Sequence, residues 1–418
     1  MRTETTKSDA ASVASIFGRF STLGGTFAAI GLIGVLAAYF TDASADHHAF
    51  WSSYYFGYLF WMGMTLGCIT VIYLHHSIRA MWGTAILRMA EAGAKTLPFM
   101  GVAMIPIIIG VMTGHIYDWA DLSKVATWNY LHQSKAHNYL NPNFFLIRQV
   151  IYWAFWIFTT ERLHKSSLKQ DETRNERLAA ERASFAAPIG MIHVILLTGA
   201  YTDWLMSLTT FYSTLYGAWN LTKDVLMAIA FCTVVLMANK ERRPYNDIVT
   251  PSLSRDLGNV LLGFTMFWGY TSLDQFLIIW SANLPDEISF YTSRFEGPLV
   301  IIGSLLIACQ FAIPFMSLVT GRAKRTPEIL LRVALGIFIV RIFDTWWDVV
   351  PFFRRGIVDS GMPYAFDPLR LVFDVAAWAF FGGVWLAIFA AYSKKYPLLV
   401  THDPRLIEAK EMLAHGAH

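Results

Sequence analysis

Charge is the scarcest ingredient of this chain: only 15% of its 418 residues are Asp, Glu, Lys or Arg, where a soluble domain carries about 25%. So few charges cannot clothe a water-facing surface of this size, and most of the exposed area is predicted to meet lipid. Cysteine is nearly absent. Cys68, Cys232 and Cys309 lie far apart, each within an apolar stretch, which excludes a disulfide framework. Without a four-cysteine array an iron–sulfur cluster has no ligand set, and without C-x-x-C-H a c-type haem has no attachment point. No metal site and no nucleic-acid partner are expected. The N-terminal stretch 1–20 is polar and Ser/Thr-rich and lacks the short apolar core and cleavage site of a secretory signal. It reads as a retained cytoplasmic segment.

What the chain has instead is hydrophobic length. Apolar runs occur near 22–41, 53–75, 97–117, 143–160, 184–206, 216–238, 257–282, 297–319, 329–350 and 368–392, each close to the roughly 20 residues a membrane helix requires. The predicted fold is an all-α integral membrane domain of ten spans over residues 21–395, followed by a cytoplasmic tail, 396–418. Basic residues orient it. With the N-terminus in the cytoplasm, that side holds 24 of the 33 Lys and Arg residues and the opposite side 6, as the positive-inside rule requires. Both termini are then cytoplasmic. An outer aromatic belt is expected from Trp51, Tyr54, Tyr55, Trp119, Trp128, Trp204, Tyr216, Trp280, Trp346 and Trp347. The long outer connections 118–142 and 351–367 read as docking surfaces.

Ionisable residues inside spans are costly, and each implies a partner or a path. Toward the outer half lie Arg148, Lys223, Asp224, Asp274, Asp344, Asp348 and Asp374; Arg341 and His193 sit near mid-depth, and His75, His76, Glu161 and Gln310 on the inner side. Arg341, Asp344 and Asp348 are spaced i, i+3 and i+7 and share one helical face, which predicts an Arg341–Asp344 pair with Asp348 as a wet opening one turn further out. Lys223 and Asp224 are adjacent, point about 100° apart, and must find different partners. His193 is a candidate proton carrier, since histidine titrates near neutral pH, or equally a packing residue. Arg370 and Asp374 are spaced for an interfacial bridge, and Asp274 reads as solvated. The proton-path candidates are thus Lys223, Asp224, Arg341, Asp344, Asp348, His193, Asp274 and Asp374. Gly63-x-x-x-Gly67 permits close helix approach but is weak evidence alone.

Four segments carry a resemblance: FGYLFWMGMTLGCITVIYLHH at 56–76, YLNPNFFLIRQVIYWAFWI at 139–157, DQFLIIWSANLPDEISFY at 274–291 and RIFDTWWDVVPFF at 341–353. With the span spacing, they resemble the NrfD/polysulfide-reductase-like membrane subunits, in particular the ActF type of alternative complex III. The resemblance covers residues from about 20 to 395. It implies two four-helix bundles, spans 2–5 and 6–9, with spans 1 and 10 peripheral, in a bacterial cytoplasmic membrane. It further implies a quinol:cytochrome c oxidoreductase in which this chain contributes a quinone-binding or proton-conducting path. The expected cofactor is a quinone such as menaquinone. Haem c and iron–sulfur clusters are expected only on the partners: a second NrfD-like subunit, an iron–sulfur subunit and c-type cytochromes. Two readings of the residues stay open beside it, a secondary transporter with midplane charges and a structural anchor for redox partners.

Overall fold

The computed structural model describes residues 2–42, 47–78, 81–128, 130–209, 211–295, 297–353, 368–400 and 402. Among these there is no strand. The chain runs through α1 (Arg2–Thr41), α2 (His48–Ile78), α3 (Met81–Ala94) and α4 (Leu97–Met112), then the short α5 (Leu122–Val125) and α6 (Tyr130–Asn138). Next come α7 (Pro142–Thr173), α8 (Arg177–Trp204), α9 (Tyr216–Ala238), α10 (Pro251–Ala282), the short α11 (Pro285–Thr292) and α12 (Pro298–Leu306). The last are α13 (Ile313–Val319), the short α14 (Gly321–Arg325), α15 (Pro327–Phe353) and α16 (Pro368–Lys395).

Local chemistry sets the helix ends. Asn141 caps α7 by accepting from the Phe144 N–H, and Thr250 caps α10 by accepting from Leu253, each with proline at the first helical position. Proline there loses no helix bond, because that N–H has no partner in a helix. Arg174 and Asn283 close α7 and α10 in the left-handed region, which ends the helical ladder. Between α12 and α13 the chain widens into a π-turn over Ile307–Ala312. Pro314 has no N–H to give the Gln310 carbonyl four residues back, and a wide turn at that point absorbs the missing bond.

Among the described residues seven stretches are long and apolar enough to cross a membrane: Ser15–Thr41, Phe50–Ile78, Met81–Met112, Arg177–Leu208, Tyr216–Ala238, Pro298–Val319 and Arg370–Lys395. The helices α7, α10 and α15 are as long but are not among these seven. Burial ranks these helices. In the most apolar window of α2, 89% of residues are buried, and in that of α9, 83%, against 22% for α1 and α8. The molecule is therefore built around α2 and α9, with single-faced helices outside them. The seam between these two central helices is where Gly63 and Gly67 lie: a Cβ on Gly63 would overlap the Asp224 carboxylate, and one on Gly67 the Asp224 backbone carbonyl. The x-x-x spacing thus marks a real backbone approach. A second small-residue seam joins α1 to α16, where Gly24 and Gly31 lie against the Gly383 and Phe380 backbone.

Several expectations are corrected. The segment 1–20 continues as helix into the first apolar stretch, since α1 runs unbroken from Arg2 to Thr41. The third apolar stretch is not 97–117 but Met81–Met112: it begins earlier, with the buried α3, and is interrupted at Lys95 and Thr96 before α4. Most of the expected belt is core. Trp51, Tyr54, Tyr55, Trp119, Trp204, Tyr216, Trp346 and Trp347 are buried, and only Trp280 is strongly exposed, at 64%. Several of their polar tips find partners inside: Tyr54 donates to the Ala103 carbonyl, Trp204 to Gln149, and Trp347 to the Leu299 carbonyl. A buried aromatic with its N–H or O–H satisfied is as stable in a core as at an interface. Of the outer connection 351–367, residues 354–367 lie outside the described residues.

Candidate functional site

The end of the molecule carrying the N-termini of α2, α7 and α9 is called the upper end below. There Lys223 and Asp224 leave α9 on different faces, as adjacency demands. Lys223 Nζ donates to Asp348 Oδ2 at 3.0 Å, lies 3.9 Å from Asp344 Oδ1, and sits over the Trp219 ring, 3.3 Å from its centroid. Asp224 turns the other way and accepts from the Tyr201 hydroxyl of α8 at 2.7 Å. On α15, Arg341 pairs with Asp344 one turn on and lies 3.4 Å from the Thr345 hydroxyl. Asp348 also accepts from the Tyr216 hydroxyl at 3.0 Å. All five charged residues are buried, none more than 3% exposed. A cavity of about 10 Å³ lies among Tyr201, Asn220, Asp224, Arg341 and Asp348, room for about one water.

The ionisable face of α15 and the adjacent pair on α9 therefore converge. Asp348 does not form the expected wet opening: at 2% exposed it is enclosed by Lys223 and Tyr216. Two further candidates stand apart. Asp374 is fully buried rather than interfacial, accepting from Ser53 at 2.6 Å and from the Trp346 indole at 2.7 Å, so it ties α16 to α2 and α15. Asp274 is half-buried on α10 and takes no part in the cluster, while its neighbour Gln275 accepts from Ser213.

His193 lies lower, on α8, between the Thr70 hydroxyl at 2.8 Å and the Trp156 indole at 3.0 Å. It is eight residues from Tyr201, about 12 Å along the helix. It belongs to a polar seam on the buried face of α7 that includes Gln149, Tyr152, Trp156, Thr159, His164 and Ser167. Next below, Tyr73 and Thr159 share a hydrogen bond at 2.5 Å.

Two charged groups end this seam; sequence reasoning named Arg148 in the first but missed its partner Asp203, and missed Arg88 and Glu91 in the second. At the upper end, Arg148 bonds Asp203 at 2.8 Å, and Tyr152 donates to the same carboxylate at 3.0 Å. At the lower end, Arg88 pairs with Glu91 at 2.6 Å and with Asp171, while His164 Nδ1 lies 3.1 Å from Glu91. Arg88 and Glu91 lie in a stretch that reads as a cytoplasmic loop, where charge is unremarkable; only the packing of α3 against α2 shows them buried. Their i, i+3 spacing was the available signal. The chain after α16 covers this lower group, with the Tyr396 ring edge-on to His164 and the His402 N–H bonded to Asp171 at 3.3 Å.

A cavity of about 570 Å³ lies between α10, α12 and α15 and reaches Asp344. Among the described residues no group of three His, Cys, Asp or Glu is placed to hold a metal ion. No family model matches the chain, and no curated protein does.

Proposed function

We propose that this chain is the membrane subunit of a quinol:cytochrome c, or quinol:acceptor, oxidoreductase and conducts protons toward its redox partners. The observation that carries the reading is the group Lys223, Asp224, Arg341, Asp344 and Asp348, buried within an apolar helical domain. Counting Arg294, whose guanidinium donates to the Asp348 carbonyl at 2.6 Å, three cations meet three carboxylates. Such a set is neutral only when complete. A proton taken up leaves one unbalanced positive charge in a low-dielectric interior, where it interacts far more strongly than in water; that strain favours passing it on. Asp344 and Asp224 are the acceptors in this scheme, Lys223 and Arg341 supply the positive charge beside them, and Tyr201 links Asp224 to α8.

A half-channel from the upper side accounts for this arrangement. Below it, His193, the Tyr73–Thr159 pair and His164 with Glu91 mark where water would have to complete a route. The electron-carrying groups, haem c and iron–sulfur clusters, belong in this proposal to partners: a second subunit of the same NrfD-like type, an iron–sulfur protein and c-type cytochromes. A quinol supplies the protons and electrons as it is oxidised to the quinone. A transporter is the second reading: helices are interrupted at Lys95–Thr96, between α3 and α4, and at the π-turn Ile307–Ala312, and transporter sites use paired broken helices. A passive anchor does not call for five buried charges.

The same proposal takes all ten long helical stretches as spans, the seven strongly apolar ones with α7, α10 and α15, in a bacterial cytoplasmic membrane with both termini inside. Spans 2–5 and 6–9 form its two bundles. Two measurements test it. Native purification from membranes is expected to bring down c-type haem absorbance and iron–sulfur paramagnetic signals with this chain; a homogeneous, colourless and active preparation would refute the redox assignment. A cysteine placed at Asn175, in the turn between α7 and α8, is expected to resist impermeant maleimides in intact cells and to react once the cells are opened. Labelling from outside would overturn the orientation.

A further inference from the structure

The cavity between α10, α12 and α15 has a lining that specifies an occupant. Its volume, about 570 Å³, falls within the range of small-molecule sites. Its outer wall is made by residues that face away from the protein core, among them Tyr270, Leu273 and Ile307, each more than half exposed. The inner wall is aromatic, with Trp219, Trp268, Phe276, Phe311 and Trp347. At the deep end Asp344 lines the cavity, and the Trp268 indole N–H, on a residue 4% exposed, has no acceptor among the described residues. An orphaned donor in a dry site is costly and calls for a ligand acceptor.

The charges around that end exclude most lipids. A phosphate headgroup would meet the Asp344 carboxylate, and Arg294 offers it little, since its guanidinium already donates to the Trp347, Phe290 and Asp348 carbonyls. A cationic headgroup would meet Lys223, whose ammonium lies over Trp219, itself part of the wall. What remains is an uncharged head that both accepts a hydrogen bond, from Trp268, and donates one, to Asp344. Flat aromatic walls favour a planar ring, and the exposed apolar side favours a hydrocarbon tail.

We infer that this cavity binds a neutral amphiphile whose planar ring bears hydroxyl and carbonyl or ether oxygens, its ring stacked among Trp268, Trp347 and Phe311 and its hydroxyl donating to Asp344. On the reading proposed above, the natural member of that class is a quinol; a hydroxylated ring lipid without redox chemistry has the same headgroup logic. The inference rests on that reading only for the choice between these two. The cavity would then place a proton donor directly against the buried charge group.

Binding is read without turnover. The full chain is placed in phosphatidylcholine nanodiscs and titrated with decylubiquinol, decylubiquinone and the redox-inert 4-nonylphenol, following indole fluorescence. Saturable quenching by decylubiquinol is expected. Trp268→Phe removes one hydrogen bond and weakens binding about fivefold. Ser304→Phe, at the cavity mouth, where the native hydroxyl bonds only its own helix, blocks binding while leaving thermal stability unchanged. Quenching that does not saturate, or that survives Ser304→Phe in a stably folded protein, overturns the site. Saturable binding of both alkylated rings supports the headgroup chemistry. Turnover of the native complex is measured separately. If Ser304→Phe abolishes binding but leaves quinol oxidation intact, the assignment to quinol falls and the redox reading stands. If the unmodified chain binds decylubiquinol but its native complex has no redox activity, the redox reading falls and the cavity stands.

Discussion

Asp344→Asn is expected to leave the complex assembled and to abolish its coupled proton movement. Asparagine keeps the size of the side chain and an oxygen facing Arg341, and Lys223 retains Asp348 at 3.0 Å, so the packing of α9 on α15 survives. What is lost is the one carboxylate that touches both the charge group and the large cavity. Asp344→Leu separates the structural contribution. It leaves the Arg341 guanidinium buried without its carboxylate partner, a loss of about 3–5 kcal/mol for a broken buried pair, and the chain is expected to fail in assembly. Both variants are followed by yield of purified complex and by pH change in proteoliposomes on quinol addition. Normal yield with normal proton movement in Asp344→Asn would remove this residue from the mechanism.

Gly67→Leu is expected to prevent the central helix pair from forming. A Cβ at this position would overlap the Asp224 backbone carbonyl and press on Ala228. Overpacking a core typically costs about 1–3 kcal/mol when side chains can shift. Here the obstacle is the backbone of α9, so the cost should exceed that range, and α2 must move away from the helix that carries Lys223 and Asp224. Gly263→Leu is the control, because nothing lies within contact distance of an added Cβ on that exposed face of α10. Fluorescence-detected size exclusion in mild detergent is expected to show aggregated Gly67→Leu and a wild-type profile for Gly263→Leu. A monodisperse, heat-stable Gly67→Leu would show that the seam has slack that its geometry does not suggest.

Much of the charge group was legible in the sequence because it depends on local spacing. Arg341, Asp344 and Asp348 must share a face of any helix that contains them, and Lys223 and Asp224 must diverge. Apolar length then required these residues to be buried together rather than scattered in lipid. Asp374 and Asp274 show where such reasoning stops. Both lie in long helices toward the same end, yet one bonds Ser53 and Trp346 in a fully buried contact and the other stays half-buried. Depth along a helix is readable from residue count; the azimuth of a neighbouring helix is not.

The sequence by itself determined the solvent of this protein, its helical class and which faces had to be hidden, since hydrophobic length, scarce charge and helical periodicity are properties of a single segment. Tertiary structure decided what each hidden face meets. It turned an expected interfacial belt of Trp and Tyr into core, because their polar tips find carbonyls and carboxylates on helices remote in sequence. It buried Arg88 and Glu91 beneath His164 and Asp171 in a stretch that looks like a loop, because α3 folds back along α2. It opened the cavity beside Asp344, because α12 packs on α15 and stands away from α10. Such contacts join residues that can lie more than a hundred positions apart, as Lys223 and Asp348 do, and only the packed arrangement of helices brings them within reach.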